Sequence, residues 1–210
     1  MAAVEIESRY AEQLEEALST NDAAEALVAS MPTFWTRQDG RASEAVLQFL
    51  VRIAEFRRQG MQIEVVPFVN MSKDAFDALV QGDQSLVERD YANAVMTGAR
   101  QGDRTIVMVG GVHASKMKGQ YTFVDYAPMA SYFPKGSVAL DFAHDAGAAW
   151  AQTRGQSGVR ESGASTLRPS EPGFPRIVFD SQLEPFFDGY LYVGPLTASP
   201  PVVRVPTSDE

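Results

Sequence analysis

Residues 105–116 read TIVMVGGVHASK. The run from Thr105 is apolar without alternation, as in strands buried within parallel sheets, and it closes on two glycines. That reading places His113 just past the carboxyl end of a strand, where open α/β sheets gather their ligands. Gly110 and Gly111 lack Cβ atoms, so they allow a tight turn and close approach of a ligand to the backbone. An imidazole there can serve a metal, a haem iron or proton transfer near neutral pH. The same letters also describe an ordinary strand-to-loop turn with a hydrogen-bonded histidine.

Outward from this strand, the pattern is that of a layered α/β fold. RYAEQLEEAL sets Tyr10, Leu14, Ala17 and Leu18 on one helical face directly after AVEI. RASEAVLQFLVRIAEFRRQG sets Val46, Leu50, Ile53 and Ala54 on one side, with Ser43 as N-cap and Gly60 closing the helix after Arg57 and Arg58. IEVVPFV reads as a strand whose Pro67 suits an end better than a middle. Residues 83–100 read as a helix carrying Leu86, Val87, Ala94 and Val95, and GSVALDFA and GYLYVG read as later strands. The expected architecture is a mostly parallel sheet flanked by helices, joined by right-handed crossovers. Residues 153–176 are too rich in Gly, Ser and Pro for a regular element and are expected to form a long irregular loop. A single domain over residues 1–204 is expected, with a disordered tail over 205–210.

Composition narrows the function classes. A chain of 210 residues that is 45% hydrophobic can bury a real core. A net charge of −9 and a pI near 4.8, with no Lys/Arg stripe, argue against nucleic acid as a partner. Without cysteine there is no disulfide framework or thiolate zinc site, so any divalent metal must be held by His, carboxylates or carbonyls. No apolar run approaches the roughly 20 residues of a membrane span, and MAAVEIESRY is too short and acidic for a signal peptide. A cytoplasmic protein is expected from the chain as given, though a targeting signal upstream of Met1 would change that. No G-x-S-x-G elbow, H-E-x-x-H or Walker loop occurs, which removes the serine-hydrolase, zincin and NTPase readings.

The ordered segments VEI, FW, QDGRASEAV, ERDYANAVM, VMVGGVHASK, YAPMASYF, AGAAW and FDGYLYVGPLTAS span residues 4–198. Together they resemble the haem-binding-uptake ChaN, Tiki and erythromycin-esterase-like superfamily. In that superfamily two G-x-x-H motifs, a strand-end glutamate and a helical arginine meet at one site. GGVH at 110–113 resembles the second motif, which assigns the role to His113; Glu5 resembles the strand-end glutamate and Arg89 the helical arginine. The resemblance implies a hydrolase in which Glu5 or His113 activates water and Arg89 stabilises the developing charge. The other readings are a protein that binds haem or another small ligand without catalysis, and an inactive, truncated member.

Asp39 and Arg41 resemble a family segment facing the site, where they would orient a polar substrate; they equally fit a capped helix start with Gly40 in the turn. Asn70 stands where relatives carry an acid and could donate a hydrogen bond to a ligand. His144, beside Asp145, reads as a surface-loop histidine, and Tyr132, Phe133 and Trp150 as core or pocket wall. The family's first strand and first G-x-x-H precede the strand that AVEI resembles, and nothing precedes it here. A sheet lacking an interior strand exposes apolar surface and unpaired backbone. Either an upstream start or a covering chain, such as a second copy in a homo-oligomer, is therefore expected.

Overall fold

The computed structural model describes residues 1–100, 104–153, 156–170 and 173–203. In chain order its elements are β1 (Ala2–Glu7), α1 (Ala11–Leu18), α2 (Ala23–Ser30), α3 (Pro32–Trp35), α4 (Glu44–Arg58), β2 (Val65–Val69), α5 (Lys73–Val80) and α6 (Ser85–Gly98). There follow β3 (Ile106–Met108), the one-turn α7 (Gly111–Ala114), β4 (Leu140–Ala143), β5 (Gly147–Thr153), β6 (Gln156–Ser162), β7 (Arg176–Phe179) and β8 (Gly189–Tyr192). The class is α/β, with parallel pairing in two of the sheets. Where the sequence suggests one domain, backbone contacts group into two compact units. An α/β unit takes Met1–Ser8, Val66–Asp145 and Ala164–Pro195; a mainly helical unit takes Arg9–Val65, Ala146–Gly163 and the segment from Leu196.

In the α/β unit the first sheet has the order β2-β1-β3, with β1 and β3 parallel through Ala2↔Ile106 and Val4↔Met108. Central β1 buries Ala2, Ala3, Val4 and Ile6. β3, expected to be buried on both faces, is an edge strand that leaves Ile106 71% and Met108 39% exposed. A continuous apolar run cannot by itself distinguish an interior strand from an edge. Val107, on the face shared with Ala3, does pack on the core of Phe68, Ala92, Val95 and Met129. Pro67 sits mid-strand in β2 rather than at its end, which the edge position accommodates because one side of the strand has no ladder to complete.

The second sheet of this unit has the order β4-β8-β7, β4 and β8 parallel and β7 antiparallel to β8. Ala143, Tyr190 and Tyr192 turn inward onto Leu167, Val178 and Leu183. The other face carries the cross-strand row Phe142, Leu191 and Ile177, with Phe179 beside it, and remains largely exposed.

A polar clasp joins the ends of this sheet to the chain leaving α7. Asp188 accepts the Ala139 N–H at 2.8 Å and the Lys116 ammonium at 2.6 Å. Partial burial pushes the Asp188 carboxyl up, but the Lys116 hydrogen bond, the Ala139 N–H and the Lys116 charge outweigh it, and its pKa lies below the ordinary value. A depressed carboxyl contributes stability above its unfolded pKa, about 3.9, and loses it as the pH falls through the folded value. We therefore expect Asp188→Asn to be less stable than the parent in urea at pH 6, with the gap narrowing at pH 3. A gap independent of pH would show that the clasp does not depend on charge.

In the helical unit α1 and α4 bury the faces that their sequence pattern marks. Tyr10, Leu14, Ala17 and Leu18 are all buried. In α4 the buried stripe is Leu47, Leu50, Ile53 and Ala54, with Val46 one step round and half-buried. Ser43 accepts the Val46 N–H at 3.4 Å as N-cap, and Gly60 has φ +90° beyond the last turn. The free N–H groups of that first turn also bond to the chain's C-terminal segment, Glu44 to Pro200 O and Ala45 to Ser199 Oγ. Arg57 clamps α1 to α4 by a bidentate pair with Glu15 at 2.8 and 2.9 Å, and its Nε–H donates to Ile63 O. Part of the expected irregular segment is in fact a strand: β6 pairs antiparallel with β5, Trp150 opposite Val159. The expected disordered tail lies outside the described residues.

Candidate functional site

The α/β unit gathers its chemistry at the carboxyl end of the β1–β3 sheet. α6 leads from the carboxyl side of β2 back to the amino end of β3, so its first turn lies at that end. Glu88, Ala92 and Val95 recur at i, i+4 and i+7 and form the buried stripe of α6. A carboxylate is thus carried into the interior by helical period alone, and the Glu88 side chain is wholly buried.

A buried charge requires partners, and Glu88 has three. Its Oε2 accepts the Met129 N–H at 2.9 Å and lies 2.8 Å from His113 Nδ1, while Oε1 accepts from Gln84 Nε2 at 3.0 Å. An ionised Glu88 can only accept, and in that state Nδ1 carries the hydrogen and Nε2 is left as the basic nitrogen of the ring. The His113 side chain is 18% exposed, close to solvent yet held by the carboxylate and by the Tyr91 ring at 6.0 Å. Burial, then the charges of Glu88 and Asp125, raise the Tyr126 pKa, which keeps that phenol protonated and able to donate.

The structure brings some of the sequence-predicted residues together and separates others. Glu5 follows Val4, the last position of β1 paired with β3, and shares with Ala3 the sheet face that α6 covers. Glu5 and His113 therefore occupy the same end of adjacent parallel strands. Arg89 is exposed, one helical step from the buried stripe, and it is Glu88 on α6 that hydrogen-bonds the histidine, with Tyr91 of the same helix beside the ring. Asn70 is exposed just beyond β2. Asp39 and Arg41 belong to the helical unit and pair with each other at 2.5 Å, and Asp39 also accepts the Arg41 N–H at 3.1 Å, capping a turn of 3-10 helix. Gly110 precedes α7 and Gly111 opens it. His144 follows β4 and its Nδ1 lies 2.6 Å from Asp145 O.

Sequence reasoning missed Glu88, although a signal was present. Four residues before Ala92 and seven before Val95, it is an acid on an apolar stripe. Among the described residues no group of three or more His, Cys, Asp or Glu side chains is arranged to hold a metal ion. Nor is any described helix long and apolar enough to cross a membrane. Fold and site together define an α/β protein with a buried carboxylate–histidine pair at the carboxyl end of a parallel sheet. No protein-family model, curated protein or solved structure matches the chain.

Proposed function

We propose that this protein is a ChaN/Tiki-like hydrolase of ester-type bonds in which His113 is the general base and Glu88 orients it. The observation that carries this reading is the 2.8 Å contact between a wholly buried carboxylate and a histidine that still reaches solvent. Such a carboxylate fixes the tautomer and the ring plane and opposes the positive charge that arises when Nε2 takes a proton. Water gives a proton to Nε2 as its oxygen bonds to the carbonyl carbon, and the carbonyl π pair moves onto oxygen. On collapse the bond to the leaving oxygen breaks and that oxygen recovers the proton from Nε2, giving a carboxylic acid and an alcohol. Glu5, on the adjacent strand β1, would hold the water or the substrate in this reading. Among the described residues the donor set does not fit a metal held by three protein side chains.

The test is turnover of 4-nitrophenyl butyrate by the parent and by His113→Gln. Loss of the base lowers kcat by about 10²–10⁴-fold; equal turnover in the variant would reject the assignment. The carboxylate on Nδ1 is also the arrangement that orients a metal- or haem-ligating imidazole. A Soret shift on haem titration, abolished in His113→Gln and accompanied by no ester turnover, would replace hydrolysis by ligand binding.

A further inference from the structure

The glycines ahead of His113 are not explained by backbone conformation. Gly110 has φ −62° and ψ 152°, which any residue adopts, and neither Gly110 nor Gly111 is among the positive-φ glycines. What a side chain would meet does separate them. A Cβ on Gly110 would lie 3.8 Å from His113 Cδ2, an ordinary contact, whereas a Cβ on Gly111 would lie 3.0 Å from the Tyr121 hydroxyl oxygen. The phenol therefore stands directly over the backbone of the helical turn that carries the histidine. The imidazole rests beside Gly110 through the ring carbon bonded to Nε2. Since adjacent Cα atoms are about 3.8 Å apart, the two glycines form a short floor between a base and a phenol.

Other features fit a donor at this point. The Tyr121 ring is stacked on Phe123, centroids 5.5 Å apart at 26°, which fixes its direction. The described residues give its hydroxyl no hydrogen-bond partner. Burial, then the charge of Asp141, raise its pKa, so the O–H stays protonated at neutral pH. Arg89, which the family resemblance would make the charge-stabilising group, is exposed on α6.

Resting on the hydrolase reading above, we infer that Tyr121 is the oxyanion donor of the site, its O–H bonding the substrate carbonyl oxygen as charge develops there. A glycine at position 111 then leaves the phenol where it stands, since a Cβ there would press on its hydroxyl at 3.0 Å. Tyr121 adds no covalent step: its proton remains on the phenol while the oxyanion forms and collapses.

The experiment is a kinetic cycle on the full chain with 4-nitrophenyl butyrate, comprising Tyr121→Phe, Gly111→Ala, the double variant and His113→Gln. Removing the O–H should lower kcat by roughly 10²–10³-fold with little change in KM, because the bond forms only with the oxyanion. Gly111→Ala should lower kcat by displacing the phenol, and should add nothing in the Tyr121→Phe background. Unchanged kcat in Tyr121→Phe beside a crippled His113→Gln would overturn the inference and leave the hydrolase reading standing. Independent, multiplying losses at 111 and 121 would overturn the link between them. Full activity in His113→Gln would instead bring down the underlying reading, and this inference with it.

Discussion

Glu88→Ala should cost the protein both stability and turnover, whereas Glu88→Gln should cost mainly turnover. Alanine removes the shared acceptor of the buried Met129 N–H and of the partly buried His113 Nδ1–H. Each orphaned donor costs about 1–3 kcal/mol, so a loss of about 2–6 kcal/mol is expected in chemical unfolding. Glutamine can keep its carbonyl oxygen at the shared position, with Gln84 turning its amide to accept rather than donate. The fold then survives, but the charge opposite the ring is gone, and kcat should fall about 10²–10⁴-fold. If Glu88→Gln retains parental kcat, the buried carboxylate is structural and the proposed mechanism is wrong. Measuring the two variants side by side separates these roles.

Trp35→Ala should be the most damaging single change in the helical unit. Trp35 and Phe34 are wholly buried neighbours on α3, their rings edge-to-face at 4.9 Å, and Phe34 in turn meets Tyr10 at 6.2 Å. The indole N–H donates to Leu27 O at 2.7 Å, tying α3 back to α2. Truncation loses the buried ring, creates a cavity and removes the donor of that carbonyl, for an expected loss of about 3–5 kcal/mol. Because net stability of a domain is commonly only 5–15 kcal/mol, a clear fall in the urea midpoint or an unfolded preparation is expected. Trp35→Phe should recover much of the packing but not the hydrogen bond. A midpoint within error of the parent for Trp35→Ala would show that this aromatic cluster is not a determinant of stability.

The contrast between these two sites reflects what a one-dimensional pattern encodes. Amphipathic helices are legible because burial recurs at a fixed period: Leu14 and Leu18, or Leu50 and Ile53 with the cap at Ser43, declare both the element and its inner face. Edge position is not local. Nothing in TIVMV distinguishes a strand flanked on both sides from β3, which leaves Ile106 and Met108 open. The β5–β6 hairpin was hidden for a related reason: apart from Trp150 opposite Val159, its paired positions are small or polar, so two-residue alternation never emerges. In the site, the histidine was legible from its place after an apolar run. Its carboxylate partner lay 25 positions upstream on a helix, where the resemblance directed attention to the adjacent arginine.

Each unit is assembled from three separate stretches of chain, with the polypeptide passing between them five times. Synthesis on the ribosome delivers those stretches in alternation. The β1 edge on which β3 will dock is made about a hundred residues before its partner, and β8, central to its sheet, is made after both of the strands it pairs with. Neither half can therefore close early as an independent package in the usual vectorial manner. Apolar β1 stays without its β3 edge, and β4 and β7 stay without β8 between them, until those later strands have been made.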